Sequence, residues 1–157
     1  MADEKKLAII STKGTLDWGY PPFILASTAA ALGYDTQIFF TFYGLNLLKK
    51  DLSGTKVSPL GNPAMPMPMP IPNLVQVLPG MESMATSMMK KKMKDKGVAS
   101  LDDLRDLCVE AEVTLIACQM TVDLFDYTPD QFIDGIEYGG AATFFEFAGE
   151  SDISLFI

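Results

Sequence analysis

The run Leu7-Ala8-Ile9-Ile10, closed by Ser11 and followed by small polar residues and a helix-forming segment, constrains the fold more than any other feature. A continuous apolar run has no solvent face, so it is the pattern of a strand buried on both sides of a parallel sheet. Thr12-Lys13-Gly14-Thr15 reads as a loop, and a helix is expected from about Asp17 or Pro21 to Leu32, with Gly33 as its stop. Pro21 and Pro22 suit a first helical turn and not an interior. The helix body, FILASTAAAL, is apolar nearly all round, which sets it against the sheet. Asp35 to Phe42 is the second strand. Strand, helix and strand in this order form a right-handed βαβ unit and point to an α/β fold. Only Gly14 lies between Ser11 and Asp17, with Gly19 just beyond, so a G-x-G-x-x-G fingerprint is not met and no dinucleotide cofactor is expected.

The same alternation continues. A short helix is expected from Leu45 to Lys50, then an extended arm at about residues 58–72, where Met65-Pro66-Met67-Pro68-Met69-Pro70-Ile71-Pro72 excludes helix and removes amide donors. That arm reads as a surface segment covered by its own protein or a neighbouring subunit, or as a lid over the site. Met81 to Lys96 is a helix with Met81, Met84 and Met88 on one face near Ala85, Glu82 early and lysines late. Its end, Lys90-Lys91-Lys92-Met93-Lys94-Asp95-Lys96, reads as a solvated helix end or as a dock for an anionic partner. Ser100 and Asp103 form a capping box, and Leu101, Leu104, Leu107, Cys108 and Ala111 then share a face. Cys108 therefore reads as a small buried hydrophobe. Val113 to Ala117 is a strand ending on Cys118, and Thr128-Pro129-Asp130-Gln131 starts a short helix that ends near Gly135. Ile136 to Tyr138, Ala141 to Ala148 and Ile153 to Ile157 supply a brief strand, a helix and a last buried strand. The expected fold is a single domain over residues 1–157: a three-layer α/β/α sandwich with a mostly parallel four- or five-stranded sheet.

Composition narrows the chemistry. The chain has no histidine and two cysteines, which removes Cys-His and Ser-His pairs, His-ligated zinc and a four-thiolate metal site within one chain. No metal and no cofactor are expected. A formal charge of -8 argues against nucleic-acid binding. No apolar run is long enough for a membrane span, and the N-terminus lacks signal-peptide architecture, so a reducing cytoplasm is the expected compartment. Cys118 ends a strand where, in open parallel sheets, reactive groups collect. Its support is expected from Gln119 and Thr121, which follow it, and from Lys13 at the mouth of the first strand. Glu137, Tyr138, Gly139 and Gly140 are candidates for the same rim. Ten residues separate Cys108 from Cys118, so there is no C-x-x-C couple. Without a histidine, hydrolysis is poorly supported, whereas sulfur exchange asks for thiolate character and access. A buried, unreactive strand-end cysteine is the bland reading.

Several segments carry a family resemblance: STKGTLDWGYPPFILASTAAALG, PMPMPIPN, LPGMESMATSMMKKKMK, LIACQMTVDLF and IDGIEYGGAATF. Together they resemble the DsrE/DsrF-like sulfurtransferase family, and more closely its stand-alone DsrE-like branch, over nearly the whole chain. The resemblance implies a small α/β/α fold, homo-oligomeric assembly and cytoplasmic sulfur trafficking, with a persulfide carried on the residue matched by Cys118. It also implies exchange with rhodanese-like proteins and TusA-type sulfur carriers. The alternative, from another class, is a non-catalytic oligomeric binding module for a small ligand or protein. A redox sensor at Cys118 is a third reading.

Overall fold

In a computed structural model, which describes residues 4–59, 69 and 72–157, five strands form one sheet in the order β4-β3-β2-β1-β5. The strands are β1 (Lys6–Ser11), β2 (Asp35–Phe40), β3 (Thr114–Cys118), β4 (Glu137–Gly139) and β5 (Ile153–Phe156), and every pairing is parallel. The helices are α1 (Leu16–Ala31), α2 (Met81–Asp95), α3 (Leu101–Glu110), α4 (Gln119–Leu124) and α5 (Ala141–Ala148).

Strand alternation divides the core into two layers. Leu7, Ile9, Ile38, Phe40, Leu115 and Ala117 face α1 and α3, while Ala8, Phe39, Ile116 and Cys118 face α5 through Phe144. This is the three-layer α/β/α sandwich with a parallel sheet that the strand and helix pattern predicts. Phe23 of α1 and Phe40 of β2 are fully buried with ring centroids 5.9 Å apart. Each such side chain contributes about 1.5–3 kcal/mol of burial.

α1, α2, α3 and α4 all terminate in the same way. Gly33, Gly97, Glu112 and Asp126 take left-handed φ values of 84°, 71°, 61° and 53°. Around each, paired N–H bonds return to the last turn, as in Glu112 to Val109 O and Val113 to Cys108 O. That is a Schellman ending, in which orphan carbonyls find donors.

Several expectations need correction. α1 starts at Leu16, so Pro21 and Pro22 lie inside it and not in its first turn. Residues 42–48 form a 3₁₀ turn, Phe42–Leu48, in place of an α-helix beginning at Leu45. The Thr128 capping box is present, but it closes only the 3₁₀ turn Pro129–Gln131. On α2 the packed residues are Ala85, Thr86, Met89 and Met93, whereas Met84 and Met88 are exposed. Leu107 is exposed although Leu101 and Cys108 on the same helix are buried. β5 is an edge strand, not a buried one: it pairs with β1 alone, and Phe156 is 76% exposed. The Met/Pro arm falls mostly outside the described residues.

Candidate active site at the end of β3

Cys118 is the last residue of β3 and the N-cap of α4. Its neighbour across the sheet is Gly139, and the preceding residue Ala117 pairs with Phe40 of β2. The thiol is 5% exposed, within the layer of Ala8, Phe39, Ile116 and Phe144. Burial pushes its pKa up, yet the net direction is below the ordinary thiol value. The downward causes are nearby donor groups, the Thr121 hydroxyl and backbone, the Thr41 hydroxyl and the Met120 backbone, although the sulfur accepts no capping hydrogen bond from α4. Donors of that kind favour the thiolate over the thiol. The amides are available because the first N–H groups of a helix have no partner within it.

Cys108 is the opposite case. It is 0% exposed in the middle of α3, and its Sγ–H donates to Phe23 O at 3.3 Å. Burial drives its pKa up to about 12. The thiol stays protonated and unreactive at neutral pH.

Of the predicted supporting residues, Thr121 is fully buried in the first turn of α4 and is among the groups that lower the Cys118 pKa. Gln119 turns outward and donates from Nε2 to Asp123 Oδ1 at 2.8 Å. Lys13 holds its Nζ 3.3 Å from the centroid of the Trp18 ring, and its charge is not among the causes acting on Cys118. Among the rim candidates, Gly139 stands directly beside Cys118, and Gly140 is the N-cap of α5. Tyr138 pairs with Ala117, so alternation puts its ring on the opposite face of the sheet, 6.5 Å from Phe132. Glu137 shares the face of Cys118 but sits farther back along the strand, beside Ile116.

Two neighbours were not anticipated from sequence. Thr41 Oγ1 lies 3.3 Å from Thr121 Oγ1, and the Phe42 N–H donates to Thr121 Oγ1 at 3.2 Å. Both sit at the C-terminal end of β2, the strand next to β3. Phe42 has φ 49°, the left-handed region, which costs a non-glycine residue roughly 1–2 kcal/mol. It is 43% exposed and meets Tyr43 and Phe125 edge-on, with centroids 6.5 and 6.3 Å away. Two glycines hold this turn. A Cβ on Gly44 would come 2.2 Å from Ser11 O, and one on Gly14 would come 2.2 Å from Tyr43 O. Only glycine permits those approaches.

Among the described residues, no group of three or more His, Cys, Asp or Glu is arranged to hold a metal ion. A cleft of about 550 Å³ lies between α1, the end of α2 and the start of α3, lined by residues including Tyr20, Met93 and Asp102. Cys118 does not line it.

The sequence pattern of the DsrE/DsrF/DrsH-like family matches residues 3–156. The chain belongs to this family. Within the family's range, it is 69% identical to the sulfur carrier protein DsrE2 of Allochromatium vinosum over 159 residues, with 99% of each chain covered. It is 32% identical to the uncharacterized protein YrkE of Bacillus subtilis, over 98% of this chain and 97% of that one. The crystal structure of the ychN protein from E. coli aligns with a TM-score of 0.55 at 10% identity, over 98% of this chain and 99% of that chain. That last likeness shows the fold. No described helix is long and apolar enough to cross a membrane.

Proposed function

We propose that the chain is a sulfur carrier that holds sulfane sulfur as a persulfide on Cys118 and hands it to a partner thiol. The observation that carries this reading is the place of Cys118 at the junction of β3 and α4, beside Gly139, where the neighbouring donors of Thr121, Thr41 and Met120 favour a lowered thiol pKa. The sulfur-carrier name of the DsrE2 relative, at 69% identity, supports it. In loading, the Cys118 thiolate attacks the outer sulfur of a donor persulfide, R–S–SH. The donor S–S bond breaks, the new S–S bond forms on Cys118, and R–S⁻ leaves. In unloading, an acceptor thiolate attacks the outer sulfur of the Cys118 persulfide, and the Cys118 thiolate leaves. Every leaving group is a sulfur anion, so neither step requires a histidine to protonate it. The donors around Cys118 act in both directions, because they stabilise it as nucleophile and as leaving group. The outer sulfur of the persulfide stands about 2 Å beyond Sγ, which carries the reacting atom outward from a nearly closed position.

The setting we assign is the cytoplasm, with rhodanese-like and TusA-type proteins as exchange partners and copies of the chain assembled into a homo-oligomer. Exposed apolar residues that a lone small domain leaves in water, Phe145, Phe156, Met84 and Met88 among them, support assembly. Incubation with glutathione persulfide followed by peptide mass mapping tests the carrier role. A gain of one sulfur on Cys118, absent in Cys118→Ser and retained in Cys108→Ser, is the expected result. No adduct on a Cys118 that iodoacetamide does label refutes it and leaves the binding-module reading.

A further inference from the structure

Cys118 and Gly139 are Cα partners across the parallel pair of β3 and β4, so their side-chain directions point to the same face of the sheet. That face carries α5, and Cys118 packs there with Phe144. The first turn of α5 comes down close on the pair. A Cβ on Gly139 would lie 2.8 Å from Thr143 Oγ1, so Thr143 stands directly over residue 139. Neighbouring strands run about 4.8 Å apart, which puts the start of α5 roughly one strand spacing from the Cys118 side chain.

Crowding explains Gly139 but not Gly140. Its φ of -116° and ψ of -167° suit any residue, and a Cβ there would meet nothing within 4 Å. Gly140 is the N-cap of α5, a position where serine or asparagine accepts from the second or third helical N–H and stabilises the helix. Glycine offers no such cap. The first bond returned at this end of α5 runs from Phe144 N to Gly140 O at 3.2 Å, so the N–H groups of Ala141, Ala142 and Thr143 have no partner among the described residues. Cys118 is equally unpartnered: it is 5% exposed, is in no disulfide and makes no capping bond to α4. A buried free thiol and three free amides therefore meet on one face at one end of the sheet, with open space over Gly140.

We propose that the uncapped N-terminus of α5 receives the outer sulfur of the Cys118 persulfide, and that Gly140 is the positioning residue that keeps it uncapped. This rests on the persulfide-carrier reading for its ligand. A hydropersulfide is more acidic than its parent thiol, so its outer sulfur is an anion at neutral pH. That atom stands about 2 Å beyond Sγ, which covers nearly half of the strand spacing to Gly139. Free N–H groups and the positive end of the helix dipole hold an anion there. No bond changes beyond those of the transfer itself; the amides stabilise the charged carrier while it waits for an acceptor. A capping side chain at residue 140 takes the same amides and closes the receptacle.

Serine and alanine at residue 140 differ by one capping oxygen. Gly140→Ser and Gly140→Asn supply a cap, whereas Gly140→Ala adds a Cβ alone. The probes are iodoacetate and iodoacetamide, nearly equal in size, applied to the full chain and read by peptide mass mapping at Cys118. With either reagent the Cys118 thiolate forms the C–S bond and iodide leaves, so the ratio of the two rates cancels thiolate fraction and access. What remains is the preference for a negative charge set beside the sulfur. The iodoacetate-to-iodoacetamide ratio is expected to be about two- to fivefold lower in the serine and asparagine variants than in the alanine variant. Urea midpoints of the capped variants are expected at or above that of Gly140→Ala, so a looser α5 does not account for the loss. The proposal is overturned if the three variants give one ratio. A variant that unfolds labels at Cys108, and the other capping variant then decides. In a second arm, glutathione persulfide with excess glutathione sets the fraction of Cys118 that carries an added sulfur, and this fraction is expected to fall in the capped variants alone. The expected ratios with no sulfur loading refute the carrier role and leave an anion receptacle at α5. Loading with the three variants alike refutes the receptacle and leaves the carrier role.

Discussion

The Cys108 thiol makes stability depend on alkaline pH, with a size that follows from its surroundings. Its folded pKa is pushed up to about 12 from an ordinary value of 9.0, because burial disfavours the anion. Between those values the unfolded chain has lost the proton and the folded chain retains it. The unfolded state binds fewer protons, so stability falls as pH rises. Linkage gives a loss of about 1 kcal/mol at pH 10 and about 3 kcal/mol at pH 11, approaching ~4 kcal/mol above the folded pKa. Below pH 8 the thiol is protonated in both states and contributes no slope. Cys108→Ala removes this titration and costs about 1.5 kcal/mol in packing, the middle of the range for point changes. Wild type is therefore the more stable protein at pH 7, the two proteins are about equal near pH 10, and the variant is the more stable at pH 11. Every other ionisable group is common to both proteins and cancels in the difference. Urea unfolding of both under reducing conditions at pH 7, 9, 10 and 11 measures it. A difference that stays constant across this range refutes the assignment of Cys108 as a thiol locked in its protonated form.

Two further substitutions probe the scaffold of the site. Gly44→Ala puts a Cβ 2.2 Å from Ser11 O, so the turn shifts; a loss of about 1–3 kcal/mol in urea unfolding and slower Cys118 alkylation are expected. Gly54→Ala, where a Cβ meets nothing within 4 Å, is the matched control and should change neither. Arg105 is 3% exposed and donates from Nη1 to Leu47 O and Lys49 O at 2.9 and 2.5 Å, with Asp102 3.6 Å from Nη2. Arg105→Ala is expected to cost about 2–4 kcal/mol, since two carbonyls lose a charged donor, and an unchanged urea midpoint refutes that role.

How much of this was legible in the sequence depends on the range of the deciding contact. The sheet and its order of elements follow from continuous apolar runs and from caps, which act within a few residues, and Ser100 with Asp103 forms the expected capping box. Periodicity finds a stripe on α2 but does not choose the stripe that packs. Met81, Met84 and Met88 share a face, yet the docked residues are Ala85, Met89 and Met93, chosen by neighbours distant in sequence. Nothing near Arg105 in the sequence announces its burial, because its acceptors, Leu47 O in the 3₁₀ turn and Lys49 O just after it, lie 58 and 56 residues away. β5 looks buried because apolar composition does not reveal that a strand ends up on an edge. At the site, Cys118 and Thr121 are visible because strand and helix meet there. Thr41 and Phe42 are 80 and 79 residues from Thr121, and only the pairing of β2 with β3 brings them together. A glycine at residue 42 would have marked the left-handed turn; a phenylalanine conceals it.

The opposite fates of the two thiols come from their places within their helices. Cys108 lies inside α3 against α1, where its Sγ–H donates to the carbonyl of Phe23 and the Ser27 backbone lowers its pKa by less than burial raises it. A carbonyl accepts, so it favours the protonated S–H and works with burial. Cys118 lies at the start of α4, where amide protons lack helical partners, and the adjoining strand end adds the hydroxyls of Thr41 and Thr121. These groups donate, so they favour the anion and work against burial strongly enough to reverse it. Both sulfurs are buried, so desolvation alone gives them the same direction. What separates them is how many donors stand against that cost: one backbone group, of Ser27, at Cys108, and several groups, of Thr121, Thr41 and Met120, at the strand-to-helix junction around Cys118. Moving a cysteine from the junction into the helix body would therefore forfeit the lowered pKa even at equal burial.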